Sequence, residues 1–178
     1  MLAKIRHYVP YDTLLNIYYA IFNSHLIYGC QIWGQHKSQL LEKLNIIQNK
    51  ALRIINFKSP RDHADPLYHH SKILKLNDHI SLMNCLFAYD QHKQNLPGVF
   101  KDYFVPVSEI HDHNTRATEK QNFSIPQSKT LVYGLHSIKH QCISIWNKMQ
   151  NNLKTEPNQL RKPELNKILF EHFLNTYS

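Results

Sequence analysis

The chain has 178 residues with a hydrophobic content of 42%, and its 21 Lys and Arg outnumber its 13 Asp and Glu to give a net charge of +8. This length and content suit a folded domain with its own core, whereas only 4 Gly disfavour a turn-dense all-β sandwich. Three scattered cysteines without CxxC spacing argue against a disulfide framework or a zinc site. The charge favours a polyanionic partner such as nucleic acid, or alternatively it only keeps the protein soluble.

The most apolar stretch of the chain is Leu14–Trp33. Asn, Ser and His residues interrupt it, so we interpret it as a buried helix and not as a membrane span. Asp12 is a suitable N-cap for this helix, and Gly29 and Gly34 are expected to interrupt or end it. Its aromatic residues are expected to pack in the core and not to stack on bases. These residues are Tyr18, Tyr19, Phe22, Tyr28 and Trp33.

The clearest predicted helix has apolar residues at steps of four and three, the period of an amphipathic helix. They are Leu40, Leu44, Ile47, Ala51 and Ile54. With about 100° of rotation per residue, Lys43 and Lys50 fall close together on one flank of this stripe, and Arg53 lies a little further round. We expect the stripe to dock on the core. The cations beside it either contact a polyanion or form an ordinary solvated flank.

A third helix is predicted to begin at Asn77 or Asp78, either of which can cap it, and to end before the Leu-Pro-Gly sequence at residues 96–98. Residues 99–134 have no helical period and predict a long irregular loop, with a short extended piece near residues 123–126. A loop of this length inside a compact domain is usually functional or disordered.

A fourth helix is predicted after Gly134, and a last helix is predicted to begin near Pro163, a residue favoured at the first position of helices. The fold class is therefore mainly α, a small helical bundle with a long irregular loop and a separate C-terminal helix. The predicted organisation is a helical region over 1–98, a connecting loop over 99–134 and a C-terminal helical segment over 135–178. This last segment is expected to form one compact unit with residues 1–98.

No catalytic, cofactor-binding or metal-ligating residues are predicted. Nucleic-acid polymerases need closely placed carboxylates that hold two metal ions, and no two Asp residues are adjacent in this chain. Asp62 and Asp65 lie in a Pro-flanked turn and are interpreted as solvated turn residues. The thirteen His lack the spacing of a zinc site. We therefore expect a binding or structural module that is not an enzyme and has no cofactor.

Residues 1–7 contain no apolar run that could act as a signal peptide, and no long apolar span is predicted. An intracellular location is expected, with the nucleus and the cytoplasm both open. No long run of Lys and Arg indicates nuclear import.

Several strings resemble the region downstream of the catalytic palm in reverse transcriptases of jockey-like and RTE-like non-LTR retrotransposons (LINE elements). Tyr18–Gly29, followed by Ile32-Trp33-Gly34, is similar to the family pattern Y-x-A-L-F-x-S-H-L-x-Y-G with a later W-G. Leu44–Ile55 is similar to L-x-x-L-Q-x-K-A-L-R-x-I.

Further strings occur in the same order as in the family and extend the resemblance to about residue 150. They are Pro66-Leu67-Tyr68, Lys72-Ile73-Leu74-Lys75-Leu76, Leu96-Pro97 with Phe100, His113-Asn114-Thr115-Arg116, Lys129-Thr130 with Gly134, and Ile145-Trp146-Asn147-Lys148. The family has Arg where this chain has Lys129, which keeps the positive charge but loses the bidentate geometry of a guanidinium.

The resemblance implies the helical thumb and post-thumb region of an RNA-directed DNA polymerase. The family's adjacent-Asp motif does not occur in this sequence, so the resemblance implies a truncated, non-catalytic C-terminal fragment. Such a thumb grips the backbone of a template–primer duplex without reading bases. The implied partners are RNA or an RNA–DNA hybrid, bound independently of sequence, together with the palm and fingers of a reverse transcriptase. No membrane partner is implied.

The residues expected to contact nucleic acid lie in two parts of the chain. They are Lys43, Lys50, Arg53, Thr115, Arg116 and Lys129. For Arg116, the alternative is a loop arginine that pairs with a carboxylate such as Glu119. For the whole chain, the alternative is an inert helical scaffold, a relic that docks on a polymerase palm and binds no nucleic acid.

Overall fold

The computed structural model describes residues 2–35, 39–100, 102–110, 113, 115–149 and 161–177. These residues are mainly helical, and they form no β-strand beyond one isolated bridge between Pro106 and Phe123. The predicted fold class is therefore confirmed. The predicted irregular region contains short helical turns at Val107–Glu109, Arg116–Glu119 and Leu131–Leu135, each too short to produce a detectable apolar period. Most of the polar segment before the last helix lies outside the described residues.

The chain packs as two compact units. The N-terminal unit comprises residues 1–80 with residues 170–178, and the central unit comprises residues 81–169. These units are defined by packing, whereas the predicted segments were based on composition. The boundaries of the units therefore fall at different places from those of the predicted segments. No helix of the described residues is long and apolar enough to cross a lipid bilayer.

The first part of the N-terminal unit is a series of short helices. They are α1 (Leu2–Ile5), α2 (Tyr11–Ile17), a π-helical segment (Tyr18–Asn23), α3 (Ser24–Ile27) and α4 (Cys30–Trp33). Pro10 occupies the N-cap position of α2, so the prediction of Asp12 as the cap was wrong by two residues. Gly29, with φ of +62°, separates α3 from α4, as its position in the sequence predicted.

The aromatic residues of this region are only partly buried. Tyr18 is fully buried, as predicted, but Tyr28 is 84% exposed, and Tyr19 and Trp33 are also exposed. The prediction that they all pack in the core was wrong for these three. Apolar residues on every side of a helix predict enclosure on every side, but the N-terminal unit covers only part of this surface.

The long helix α5 (Gln39–Ile55) presents a different face to the core from the predicted one. Its buried residues are Leu41, Gln48, Ala51, Leu52 and Ile55. By contrast, Leu40 is 68% exposed and Ile47 is 46% exposed. The inward face is thus rotated by about one residue, or ~100°, from the apolar stripe. A polar residue, Gln48, occupies an inward position, and the apolar period therefore gave no sign of it.

Gln48 is 1% exposed and satisfies its side-chain amide with three partners from two other segments of the unit. Its Nε2 donates to Tyr18 Oη at 3.1 Å and to the Leu74 carbonyl at 3.0 Å. Its Oε1 accepts from the Leu76 amide at 3.1 Å. Because these bonds replace those to water, the buried amide is tolerated. Burial raises the pKa of Tyr18 to about 12, which keeps the phenol neutral.

The remaining helical parts of this unit are α6 (Asp65–Ser71), the start of α7 (Leu76–His92) and the end of the C-terminal helix, from Phe170 to Asn175. The Tyr177 hydroxyl donates to the Asp78 carboxylate and accepts from the Lys75 amide. The Lys75 ammonium lies 4.5 Å from the centroid of the Tyr177 ring. The C-terminal residues are therefore an integral part of the N-terminal unit.

The central unit contains the rest of α7, α8 (Arg116–Glu119), α9 (Ile138–Lys148) and the start of α10 (Lys162–Asn175). Its core is aromatic. The Phe123 ring centroid lies 5.3 Å from that of Phe104 and 5.8 Å from that of Trp146. Trp146 is fully buried, and its indole Nε1 donates to the Gln121 carbonyl at 3.0 Å.

Candidate nucleic-acid interface

The C-terminal end of α5 forms one wall of a cavity of about 560 Å³ in the N-terminal unit. Four of its lining residues are cationic and one is aromatic. The lining residues are Arg6, Lys50, Arg53, Ile54, Phe57, Lys58, Ser59 and Pro60. We refer to this as the basic cavity.

Local structure explains how these side chains meet. Lys50 and Arg53 are three residues apart on α5 and therefore lie on neighbouring positions of one helix face. The helix ends at Ile55, and the turn that follows brings Phe57 and Lys58 to the same place. Helix α1 packs against α5, and Arg6 directly follows α1.

The charge of the basic cavity is almost uncompensated by acids. No carboxylate lines it, and the ammonium groups of Lys50 and Lys58 form no ion pair within the described part of the chain. Arg53 Nε donates to the Asp62 carbonyl at 2.7 Å, while the Asp62 carboxylate accepts from the Ser59 amide at 2.8 Å. The C-terminal end of a helix attracts cations, so part of this charge stabilises α5 itself.

The structure brings together two of the predicted contact residues, Lys50 and Arg53. Lys43 is exposed on the same helix, about 10 Å before Lys50 along the axis, and does not line the basic cavity. Sequence reasoning missed Arg6 and Lys58. The signal for Lys58 was its position in the turn three residues after the helix, whereas Arg6 reaches the cavity only through tertiary packing.

The other three predicted contact residues belong to the central unit. Thr115 caps α8, its hydroxyl accepting from the Thr118 amide at 3.4 Å. Arg116 and Lys129 are exposed. Among the described residues Arg116 forms no ion pair with Glu119, and its expected contact with nucleic acid stays a prediction. Neither Arg116 nor Lys129 lines the cavity of about 460 Å³ in this unit.

An apolar groove of about 300 Å³ adjoins the basic cavity and shares Lys50 and Ile54 with it. Its other lining residues come from α1, α2, the π-helical segment and α5. They are Leu2, Ala3, Ile17, Ile21, Phe22, Ile47 and Ala51. The exposed Ile47 of the predicted stripe therefore lines a groove on the surface and is not part of the core.

The described residues contain no group of three or more His, Cys, Asp or Glu side chains close enough to hold a metal ion. The three cysteines are buried. Burial raises the pKa of the Cys142 thiol to about 12 and also raises that of Cys30. Because the thiolate is the reactive form, these two cysteines are poor nucleophiles.

Comparison with known proteins identifies no relative: no protein-family model, curated protein or solved structure matches the chain.

Proposed function

We propose that this protein is a non-catalytic module that binds the sugar–phosphate backbone of nucleic acid through the basic cavity. The observation that carries this proposal is the convergence of four cationic side chains on one cavity, with no carboxylate among the described residues of its wall. Each cation that meets a phosphate releases a condensed counterion, which favours binding of any sequence. Contacts of this kind position the backbone and do not read bases.

The sequence strings support a more specific proposal, that the module corresponds to the thumb and post-thumb region of a non-LTR retrotransposon reverse transcriptase. Lys50 and Arg53 both lie in the string from Leu44 to Ile55 that resembles the family. On this proposal the natural partners are RNA or an RNA–DNA hybrid, and the palm and fingers of a polymerase carry the catalytic carboxylates.

The test removes two cavity charges with Lys50→Ala plus Lys58→Ala. We expect affinity for an RNA–DNA hybrid to fall roughly 10- to 100-fold near ~0.1 M salt, and the slope of log K against log salt to fall by about 0.7–0.9 for each lost phosphate contact. Filter-binding titrations at two salt concentrations measure both quantities. Lys120→Ala plus Lys167→Ala is the matched control, because it removes two exposed cations of the central unit.

An equal loss of affinity in both double variants would mean that only net charge matters, and the basic cavity would be rejected as the contact surface. Failure of the unaltered protein to bind any nucleic acid would reject the proposed function.

The alternative function, a scaffold that docks on a polymerase palm without binding nucleic acid, is favoured by the apolar groove. Ile21 and Ile47 line this groove and are 49% and 46% exposed. The two functions differ in the titration above. A scaffold binds no hybrid at either salt concentration, and Ile21→Asp plus Ile47→Asp should abolish its docking.

A further inference from the structure

Four helix ends in the described residues share one backbone arrangement. In each, a residue at the C-cap or directly after it has a positive φ. These residues are Phe57 (55°), Lys72 (52°), Gln94 (56°) and Gln121 (50°). At the end of α5, the Phe57 amide donates to the Ile54 carbonyl at 3.3 Å and the Lys58 amide donates to the Arg53 carbonyl at 2.8 Å. This pair of bonds defines a Schellman motif.

The other three ends have the same pair of bonds. At the end of α7, the Gln94 amide donates to the Gln91 carbonyl at 2.9 Å, and the Asn95 amide donates to the Asp90 carbonyl at 2.8 Å. Glycine is the usual residue at this position, because a side chain disfavours the left-handed conformation. At three of the ends the side chain is long, flexible and polar, but at α5 it is a bulky aromatic ring, for which a positive φ is an outlier.

Burial does not compensate Phe57 for this conformation, since its side chain is 51% exposed. The ring instead stands in the wall of the basic cavity. The Arg6 guanidinium lies 5.6 Å from its centroid, and the His7 ring meets it edge-on at 5.9 Å. Lys50 and Lys58 line the same cavity. An exposed aromatic ring in a strained conformation, surrounded by cations, indicates a role in binding.

We propose that Phe57 is a stacking platform for an unpaired nucleobase, so that the basic cavity takes single-stranded nucleic acid in preference to a duplex. This inference rests on the proposed function and names its substrate class. Single-strand sites combine cations along the backbone with aromatic rings on which bases stack. In a duplex the bases are already stacked on each other, and the ring finds no free base. A cavity of about 560 Å³ falls within the roughly 300–1,000 Å³ range of small-molecule sites, large enough for one nucleotide.

The test compares the full-length protein with Phe57→Gly and with the matched control Gln94→Gly. Both variants place glycine at the same position of the same motif, and both relieve the positive φ. We expect Phe57→Gly to weaken binding of a 12-nucleotide single-stranded RNA by roughly 5- to 100-fold, the loss expected for one stacked base. Its affinity for a duplex of the same length should change less than about twofold. Gln94→Gly should leave both affinities unchanged.

Thermal unfolding gives a second readout. If the Phe57 ring serves only packing, its removal should lower the melting temperature. If it is a stacking platform in a strained conformation, its removal should leave the melting temperature unchanged or raise it. A single-stranded probe with 2-aminopurine at its centre reports stacking directly, because its fluorescence is quenched on an aromatic ring. We expect quenching by the unaltered protein and by Phe57→Tyr, and none by Phe57→Leu, so that the test does not depend on the glycine variant.

The outcomes separate this inference from the proposed function. Equal binding of single strand and duplex, with no effect of Phe57→Leu on either, would overturn the stacking platform and leave backbone binding in place. Absence of binding to both probes by the unaltered protein would overturn both.

Discussion

The end of α5 and the end of α7 have the same hydrogen-bonded turn, but the cavities beside them carry opposite charge. Phe57 at the end of α5 lines a cavity with Arg6, Lys50, Arg53 and Lys58. At the end of α7, Gln94 lines the cavity of the central unit. The charged lining residues there are Asp102 and Glu109. A polyanion is attracted to the first cavity and repelled by the second. The same backbone turn thus stands beside two different cavities, and the side chains around each cavity determine what it can bind.

The cores of the two units also differ, in the kind of contact that holds each together. In the core of the N-terminal unit, the polar amide of Gln48 connects α5 to two other segments of the chain. The core of the central unit is a cluster of aromatic rings that includes Trp146. The stability of the N-terminal core depends on the direction of hydrogen bonds, and that of the central core depends on the volume of packed side chains. The two are therefore expected to respond differently to substitution.

The largest expected effect is that of Trp146→Ala on the central unit. It removes a fully buried ring and leaves the Gln121 carbonyl without its donor, so we expect a loss of about 3–5 kcal/mol in the free energy of unfolding. Chemical denaturation followed by circular dichroism measures it. Tyr133→Ala, at a residue that is 90% exposed, should change the same quantity by less than about 0.5 kcal/mol. A loss below about 1 kcal/mol for Trp146→Ala would show that this core does not depend on ring volume.

A smaller loss is expected for Gln48→Met in the N-terminal unit. Methionine is apolar and similar in size, but it cannot donate to the Leu74 carbonyl or accept from the Leu76 amide. The unsatisfied groups should cost about 1–3 kcal/mol of unfolding free energy, as measured by urea denaturation. Gln39→Met, on an exposed position of the same helix, is the control. If Gln48→Met were as stable as the unaltered protein, the contrast between a polar and an aromatic core would fail.

The smallest expected effect is a pH dependence that comes from His92 of the central unit. Burial, and to a lesser degree the Lys93 charge, lower the pKa of His92. Below about pH 6.5, the ordinary value for His, the unfolded chain takes up a proton that the folded chain does not. The stability of the fold therefore decreases as the pH falls through this range towards the lower pKa of the folded state.

Unfolding free energies measured between pH 7 and pH 5 should decline less steeply for His92→Gln than for the unaltered protein. Burial also lowers the pKa of His79, so a residual slope is expected in this variant. An unchanged slope in His92→Gln would mean that the His92 ring, whose centroid lies 5.4 Å from that of Trp146, is protonated equally well in the folded and unfolded states.

Several features could be predicted from local sequence alone. The helical class, the approximate course of α5, α7 and α9, and the burial of Tyr18 follow from apolar period and from breaker residues. The placement of Lys50 and Arg53 on one helix face follows from their spacing. These properties depend on neighbours within a few turns of helix, which is the range over which sequence patterns carry information.

Tertiary structure alone decided which face of α5 turns inward and what surrounds the end of that helix. Gln48 is tolerated in the core because partners some thirty residues away in either direction form hydrogen bonds with its amide. The apolar period of a sequence does not predict the burial of such a polar group. Arg6 reaches the basic cavity through the packing of α1 on α5, and Phe57 is exposed because the helix ends there in a left-handed turn. Local periodicity determines which segments form helices. Burial and charge at a site, by contrast, depend on residues that are distant in sequence, and only the folded chain brings those residues together.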